Sequence, residues 1–439
     1  MSAAETAAIE RVVAHIDDHA DEIVEFAAEL IRRPSVNPDL DPNPLAERPA
    51  QEWLHSQLAD LGTFDLLDMW EVAENRPNVV ARRTGRGGGR SLTWSSHVDV
   101  VPVTPEQAEQ WDGDPFSGEV RNGNLHGRGT SDMKSAAAAS ILAAHYLRAC
   151  DIDLTGDLTI ALASGEESGR RDIGCNTILE RGYRADLAIF PEVSNFRVHP
   201  VAKGELYFKL TVPGKSTHIC NRNLVAQALP YGVERPGVSA IDNMLKYQLA
   251  ILELERQWLL WQSSPVVAPG GMYINVNTMQ AGSSLTSIPD SAEATGSCLF
   301  YPHLTADEVM ADIRATIDRV TAGDAWLREH PPVLDLPLDS ASNAPWVKEP
   351  VNTPFDHPGV LAIVDAMERL TGETPVREVS PFVCDANFWS PLGQQSVIWG
   401  IGDVTYGVHG ANEFMPVADI ILGAKAFAAT TILWCGVAD

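Results

Sequence analysis

The sequence predicts an α/β fold in which a larger domain, residues 1–203 and 323–439, is interrupted by a smaller α+β domain, residues 204–322. Three observations predict it. Strand-like and helix-like segments alternate between residues 78 and 190, as they do in a sheet covered on both faces by helices. Near residue 204 that pattern gives way to alternating strands and longer helices, and it returns from about residue 353. The chain has 439 residues, more than one ordinary core organises.

The elements follow in order. Ile9, Val12, Val13, Ile16, Ile23, Phe26 and Ile31 recur near helical spacing and predict one amphipathic helix over 3–33, stopped by Pro34 and Pro38. A second helix covers 46–61, with Trp53, Leu54 and Leu58. Residues 78–83 and 91–100 read as strands joined by the turn TGRGGG, which lacks the spacing of a phosphate loop and does not lead into a helix. An Ala-rich helix follows at 131–149, then a strand at 157–164, a helix at 173–181 and a strand at 186–190. The interrupting block has strands at 205–213, 272–280 and 291–300 and helices at 238–261 and 305–320. The closing segment has a helix at 358–371, a strand at 396–400 and a helix at 417–435.

Composition narrows the function. A formal net charge of −27 argues against nucleic acid as a partner, because phosphates must be met by Lys and Arg. It leaves a small-molecule substrate open. The six cysteines, Cys150, Cys175, Cys220, Cys298, Cys384 and Cys435, are scattered singly. A Cys-based metal site is therefore not expected, and a reducing compartment suits the chain. The N-terminus carries acids where a signal peptide would be basic. No stretch reads as the roughly twenty apolar residues of a membrane span. The expectation is a cytoplasmic protein with no membrane partner.

Metal-ligand residue types fall after predicted strands. In SSHVDVVP, His97 and Asp99 stand two apart, on one face of a strand. HGRGTSDMKS places Asp132 at a helix start, ASGEESG places Glu166 and Glu167 after a strand, FPEVSN places Glu192 after another, and GVHGANEF carries His409. Each has a plainer reading: a structural histidine, a solvated acid pair, an N-cap. Together they put two His and several carboxylates where open α/β sheets keep their sites. Such donors suit zinc, and also cobalt or manganese.

The order and wording of these segments resemble the dinuclear zinc hydrolases that include acetylornithine deacetylase, succinyl-diaminopimelate desuccinylase, aminoacylase and glutamate carboxypeptidase. GRGTSDMK (127–134), the HxD at 97–99, Trp111 and Asp114-Pro115-Phe116 carry the likeness, which spans nearly the whole chain. The resemblance implies a mixed-sheet zinc-hydrolase catalytic domain with an inserted dimerisation, or lid, domain. It implies that His97, Asp132 and Glu192 hold one metal, and that Asp132, Glu167 and His409 hold the other. Asp99 would orient His97. Glu166 would act as general base on a metal-bridging water in cleaving an amide bond. His218, in VPGKSTHICNRN, would reach a partner's active site and stabilise the oxyanion, which implies a homodimer formed through the inserted domain.

The sequence departs from that pattern in its substrate-reading positions. Thr286 or Ser287 stands where an Asn is common, Leu299 or Phe300 where an arginine often binds the substrate carboxylate, and Cys384 where Thr or Ser is common. Arg222, Arg235, Lys215 or Arg377 could replace that arginine, and the long stretch 219–237 could reshape the pocket mouth. Four functions remain open: a deacylase of N-acyl amino acids, a dipeptidase or carboxypeptidase, a hydrolase of a non-amino-acid amide or amine (aromatic ones included), and a non-catalytic metal-binding homologue. Glu166 argues against the last, since losing the base is the simplest way to lose activity.

Overall fold

The computed structural model describes residues 2–41, 45–221, 236–337 and 346–438, in two compact units. Met1–Ala202 and Val351–Asp439 make the first and Lys203–Pro350 the second. In chain order the first unit begins with β1 (Leu66–Ala73), β2 (Arg76–Arg83), β3 (Leu92–His97), β4 (Glu119–Arg121), β5 (Asn124–His126), β6 (Leu158–Ala163), β7 (Leu187–Phe190) and β8 (Val198–Ala202). The second unit contains β9 (Gly204–Pro213), β10 (Thr217–His218), β11 (Tyr273–Ala281), β12 (Ser287–Ile288), β13 (Ser291–Phe300), β14 (Val333–Asp335) and β15 (Val347–Lys348). The first unit resumes with β16 (Val351–Asn352), β17 (Arg377–Ser380), β18 (Ser396–Ile398) and β19 (Phe414–Pro416).

The main sheet of the first unit is mixed, in the order β1-β2-β6-β3-β7-β18-β8-β16, with β17 also on β8. Its central strands β6, β3, β7 and β18 are mutually parallel. β1, β2 and β8 join antiparallel. Parallel strands are covered on both faces, so they read as unbroken apolar runs; LTIALA and LAIF are buried at every residue. The helix Ser135–Ala149 lies in that cover, and Val417–Cys435 packs against it. Trp94, Trp399 and Phe427 interlock, the Phe427 ring centroid lying 4.5 Å from Trp94 and 5.4 Å from Trp399.

This topology gathers the site. β3, β6 and β7 run in the same direction and end at His97, Ala163 and Phe190. His97 is the last residue of its strand, and Glu166, Glu167 and Glu192 follow theirs by two to four residues.

The second unit has a five-stranded antiparallel sheet, β11-β13-β9-β14, with β15 also on β9. β9 alternates buried and half-buried residues, and Phe208, Leu210, Met244, Tyr247 and Ile313 share its core.

Several expectations are corrected. The helix over 3–33 is two helices, Ala3–Asp18 and Ala20–Ile31, separated at His19 (φ −120°, ψ 23°). The inserted unit runs to Pro350, beyond 322, because β14 and β15 hydrogen-bond to β9 and Leu327 and Leu334 enter its core. The helix Ser135–Ala149 starts after Asp132, whose own backbone is extended (φ −122°, ψ 96°) and whose bond to Met133 is cis. Val417–Cys435 is long and apolar enough to cross a membrane. Here it is a core helix, with Ile420, Ala424, Phe427, Ala428 and Ile432 fully buried.

Because Phe427 fills the space between two tryptophans, Phe427→Ala should destabilise the first unit by about 3–5 kcal/mol. Urea unfolding followed by tryptophan fluorescence measures it. A shift below about 1 kcal/mol would show that the core closes over the cavity.

Candidate metal centre

Two triads of side chains converge in the first unit. His97, Asp132 and Glu192 form one, Asp132, Glu167 and His409 the other, and in each the candidate ligand atoms lie within 4.8 Å of one another. His97 Nε2 is 3.1 Å from Asp132 Oδ1 and 4.0 Å from Glu192 Oε2. His409 Nε2 is 3.3 Å from Asp132 Oδ2 and 3.2 Å from Glu167 Oε2. A tetrahedral ion with bonds of ~2.0–2.2 Å sets its ligands roughly 3.3–3.6 Å apart, so the donor set fits. Asp132 offers one oxygen to each side and is common to both triads.

Electrostatics favour a cation between these groups. Burial, and then the charge of Asp132, push Glu167 up to about 7. Burial also pushes Glu192 well above the carboxylate range, with Asp132, Glu166 and Asp385 adding to it. Burial opposes the charge on Asp132 too, but hydrogen bonds from His409 and His97 hold it below its ordinary value. Hydrogen bonds to Asp132 and Glu167 raise His409 to about 10. The cluster thus attracts positive charge, which a divalent ion supplies more compactly than protons.

The orientation of His97 is set by its Nδ1, 3.0 Å from the main-chain carbonyl of Asp99, which leaves Nε2 for an ion. Asp99 therefore meets the ring through its main chain. Its carboxylate lies 3.8 Å from the ring and is engaged elsewhere. Oδ1 accepts from the Gly165 and Glu166 N–H groups at 2.9 and 3.1 Å; Oδ2 accepts from Glu167 N–H at 3.0 Å and Asn37 Nδ2 at 2.8 Å. β3 ends at His97, so the two-residue alternation behind the shared-face expectation no longer applies at Asp99. Asp99 holds the Glu166–Glu167 turn. Gly165 and Gly169, at φ +89° and +67°, bend the chain on either side.

Glu166 sits in that turn, and its charge acts on His97, Glu192 and Cys384. His218 belongs to the second unit, where it pairs with Ser287 across β10 and β12 and is exposed. Its Nδ1 lies 3.3 Å from the Cys220 main-chain nitrogen and 3.0 Å from Cys220 Sγ. Leu299, also in that unit, is half-buried on β13, beside the fully buried Phe300. Arg222 and Arg235 lie outside the described residues, as does most of the 219–237 stretch. Lys215 bridges to Val238, and the exposed Arg377 donates to the Phe355 carbonyl.

Three residues that sequence reading passed over complete the surroundings. Glu413 and Arg128 form a buried ion pair at 2.6 Å. Lys134 is buried and donates to the carbonyls of Leu30 and Arg33 at the end of the helix Ala20–Ile31. The one available signal was their position inside the segments GRGTSDMK and HGANEF.

Comparison with known proteins shows what the chain is similar to. The model of peptidase family M20/M25/M40 matches residues 93–432. The chain is 31% identical over 428 residues, covering 96% of both proteins, to an N-formyl-4-amino-5-aminomethyl-2-methylpyrimidine deformylase of Bacillus subtilis (strain 168). It is 30% identical over 416 residues to a succinyl-diaminopimelate desuccinylase of Alkalilimnicola ehrlichii, covering 91% of this chain and 95% of that one. In structure it is similar to an M20 family metallo-carboxypeptidase from Sulfolobus solfataricus, with a TM-score of 0.68, 19% identity, and 94% and 99% of the two chains covered.

If the Asp99 carboxylate shapes the Glu166–Glu167 turn, Asp99→Asn should lower turnover or metal affinity by about 10–100-fold, since an amide nitrogen would face main-chain N–H donors. Paired kinetic and metal-content measurements decide; a variant with unaltered kcat and two bound ions would contradict the assignment.

Proposed function

The chain belongs to peptidase family M20/M25/M40 and is a metal-dependent hydrolase of amide bonds; from that premise we propose that it removes a small acyl group, formyl in particular, from an amine that carries no α-carboxylate. The hydrolytic reading is carried by one observation, the two triads sharing Asp132 beside the Glu166 turn. The substrate reading is supported by the GSCLFYP segment, where Leu299 or Phe300 stands in the place of an expected carboxylate-binding arginine, and by a relative whose named substrate is an N-formyl aminomethylpyrimidine.

His97, Asp132 and Glu192 would hold one ion, and Asp132, Glu167 and His409 the other, with zinc the best match to this donor set. Two such ions supply an activated water and polarise the scissile carbonyl. Glu166 takes the proton from the attacking water and delivers it to the leaving nitrogen as the C–N bond breaks, so that the products are a carboxylic acid and a free amine. His218 would donate a hydrogen bond to the oxyanion.

We further propose a cytoplasmic homodimer in which His218 serves the partner's site. The helix Ala240–Trp261 supports the dimer. Its inner face buries Met244, Tyr247, Ile251 and Leu254, while Ile241, Leu245, Leu249, Leu252 and Leu260 form an exposed apolar stripe on the other. The six cysteines are scattered singly along the chain, as suits a reducing compartment.

Glu166→Gln should lower kcat by about 10²–10⁴-fold with both ions retained, and a chelator should abolish wild-type activity until zinc or cobalt is restored. Among N-formyl-aminomethylpyrimidine, N-succinyl-diaminopimelate, N-acetyl amino acids and dipeptides, the first should give the highest kcat/KM. A higher value for any carboxylate-bearing substrate would overturn the substrate reading and leave the hydrolase standing.

Leu249→Glu with Leu260→Glu should yield a monomer in sedimentation. Mixing inactive His218→Ala and Glu166→Gln subunits should restore partial activity, because one hybrid site then has both groups. Mixed dimers without recovery would contradict the exchange of His218.

A further inference from the structure

We infer that the buried Arg128–Glu413 pair is a positioning device that seats Asp132 and His409 together, so that the shared carboxylate and the imidazole of the second triad reach ion-binding geometry as one unit. The inference rests on the metal-centre reading above. Arg128 and Glu413 are each 1% exposed. Glu413 Oε1 accepts from the Ser131 and Asp132 N–H groups at 2.9 and 3.1 Å. Its Oε2 accepts from Gly129 N–H at 3.0 Å and from Arg128 Nη1 at 2.6 Å. Four donors occupy the roughly four lone-pair directions of a carboxylate, so Glu413 has none to offer an ion. Its role is to hold the chain that carries Asp132.

Arg128 extends the same contact to the other ligand. Its Nη2 donates to the Gly410 carbonyl at 3.0 Å, one residue after His409. That loop turns through positive φ at Gly407 (+81°), His409 (+59°) and Asn412 (+58°). Non-glycine residues are uncommon in that region, although His and Asn enter it more readily than most, and neighbours hold the loop here. Arg128 supplies one hold and Gln107 Nε2, donating to the His409 carbonyl at 2.9 Å, another. The segment is also anchored at its end: Gly127 N–H donates to the Glu413 carbonyl at 3.0 Å, and β5 pairs with β19. A buried ion pair adds little net stability, and its attested use is to select one arrangement over others. Here the arrangement selected is the relative placement of two ligand-bearing loops.

The test is zinc titration against a chromophoric chelator, which needs no substrate. Glu413→Gln keeps the side-chain size but sets an amide nitrogen against two donors. It should weaken both ions by about 10–100-fold, because Asp132 serves both, with kcat reduced and KM little changed. Arg128→Lys keeps the charge, but one nitrogen replaces the two that span Glu413 and Gly410, so the second ion should weaken more than the first. It decides the question if Glu413→Gln does not fold. Variants that melt at lower temperature yet bind two ions with wild-type affinity would overturn the inference and reduce the pair to ordinary scaffolding. A wild-type protein that takes up no zinc would overturn the metal-centre reading itself, which keeps the two failures apart.

Discussion

Mutual repulsion among three carboxylates, Asp132, Glu167 and Glu192, is the constraint that the first unit is built to withstand. Taken from water together, such groups neutralise or move apart unless positive charge or hydrogen-bond donors meet them. Burial, with the charge of Asp132 adding to it, pushes both Glu167 and Glu192 upward. Two more acids, Asp99 and Glu413, are buried close by, yet they are treated differently. Each is met by four donors, most of them main-chain N–H groups. Around the two triads the protein therefore keeps two kinds of buried carboxylate: those with filled valences, which shape the backbone, and those with oxygens left over, which face the imidazoles.

The support reaches well beyond the ligands. Asn37 Nδ2 donates to both Asp99 and Ser168, Ser168 Oγ donates to Asp39 at 2.9 Å, and Asp39 pairs with Arg76, which is bound to the fully buried Glu47 at 2.6 Å. Lys134 ties the segment of Asp132 to the end of the helix Ala20–Ile31. Helices that contribute no ligand are thus joined to the site through polar contacts, each of which would cost stability if left half-made.

Much of this was legible in the sequence, and what was missed had physical reasons. The buried parallel strands announced themselves as apolar runs, and His97, Glu166, Glu167 and Glu192 stood out because they follow those runs. Glu413 and Arg128 did not, since a lone charge in a polar loop looks like surface until its partner is known to lie 285 positions away. β1 mixes half-buried and exposed residues and carries two acids, as an edge strand can, so no apolar run marks it. β8 carries Pro200 within a fully buried strand, where proline argues against a strand. The far boundary of the second unit was invisible because β14 and β15 are three and two residues long. Too short to carry a period, they are assigned by their register on β9. The break at His19 involves neither Pro nor Gly, so nothing punctuates it.

The connection between the two units has one more consequence. The chain leaves the first unit after Ala202 and re-enters it at Val351, and these two residues face each other across the β8–β16 pair. Cross-strand partners sit about 4.5–5.5 Å apart, a gap that a tight turn of a few residues can close. A gene encoding residues 1–202 and 351–439 joined by such a turn would keep every proposed ion ligand and both shaping carboxylates on one continuous chain. In genetic terms the stretch 203–350 is a cassette, able to be gained, lost or exchanged by recombination at two codons whose products are already neighbours.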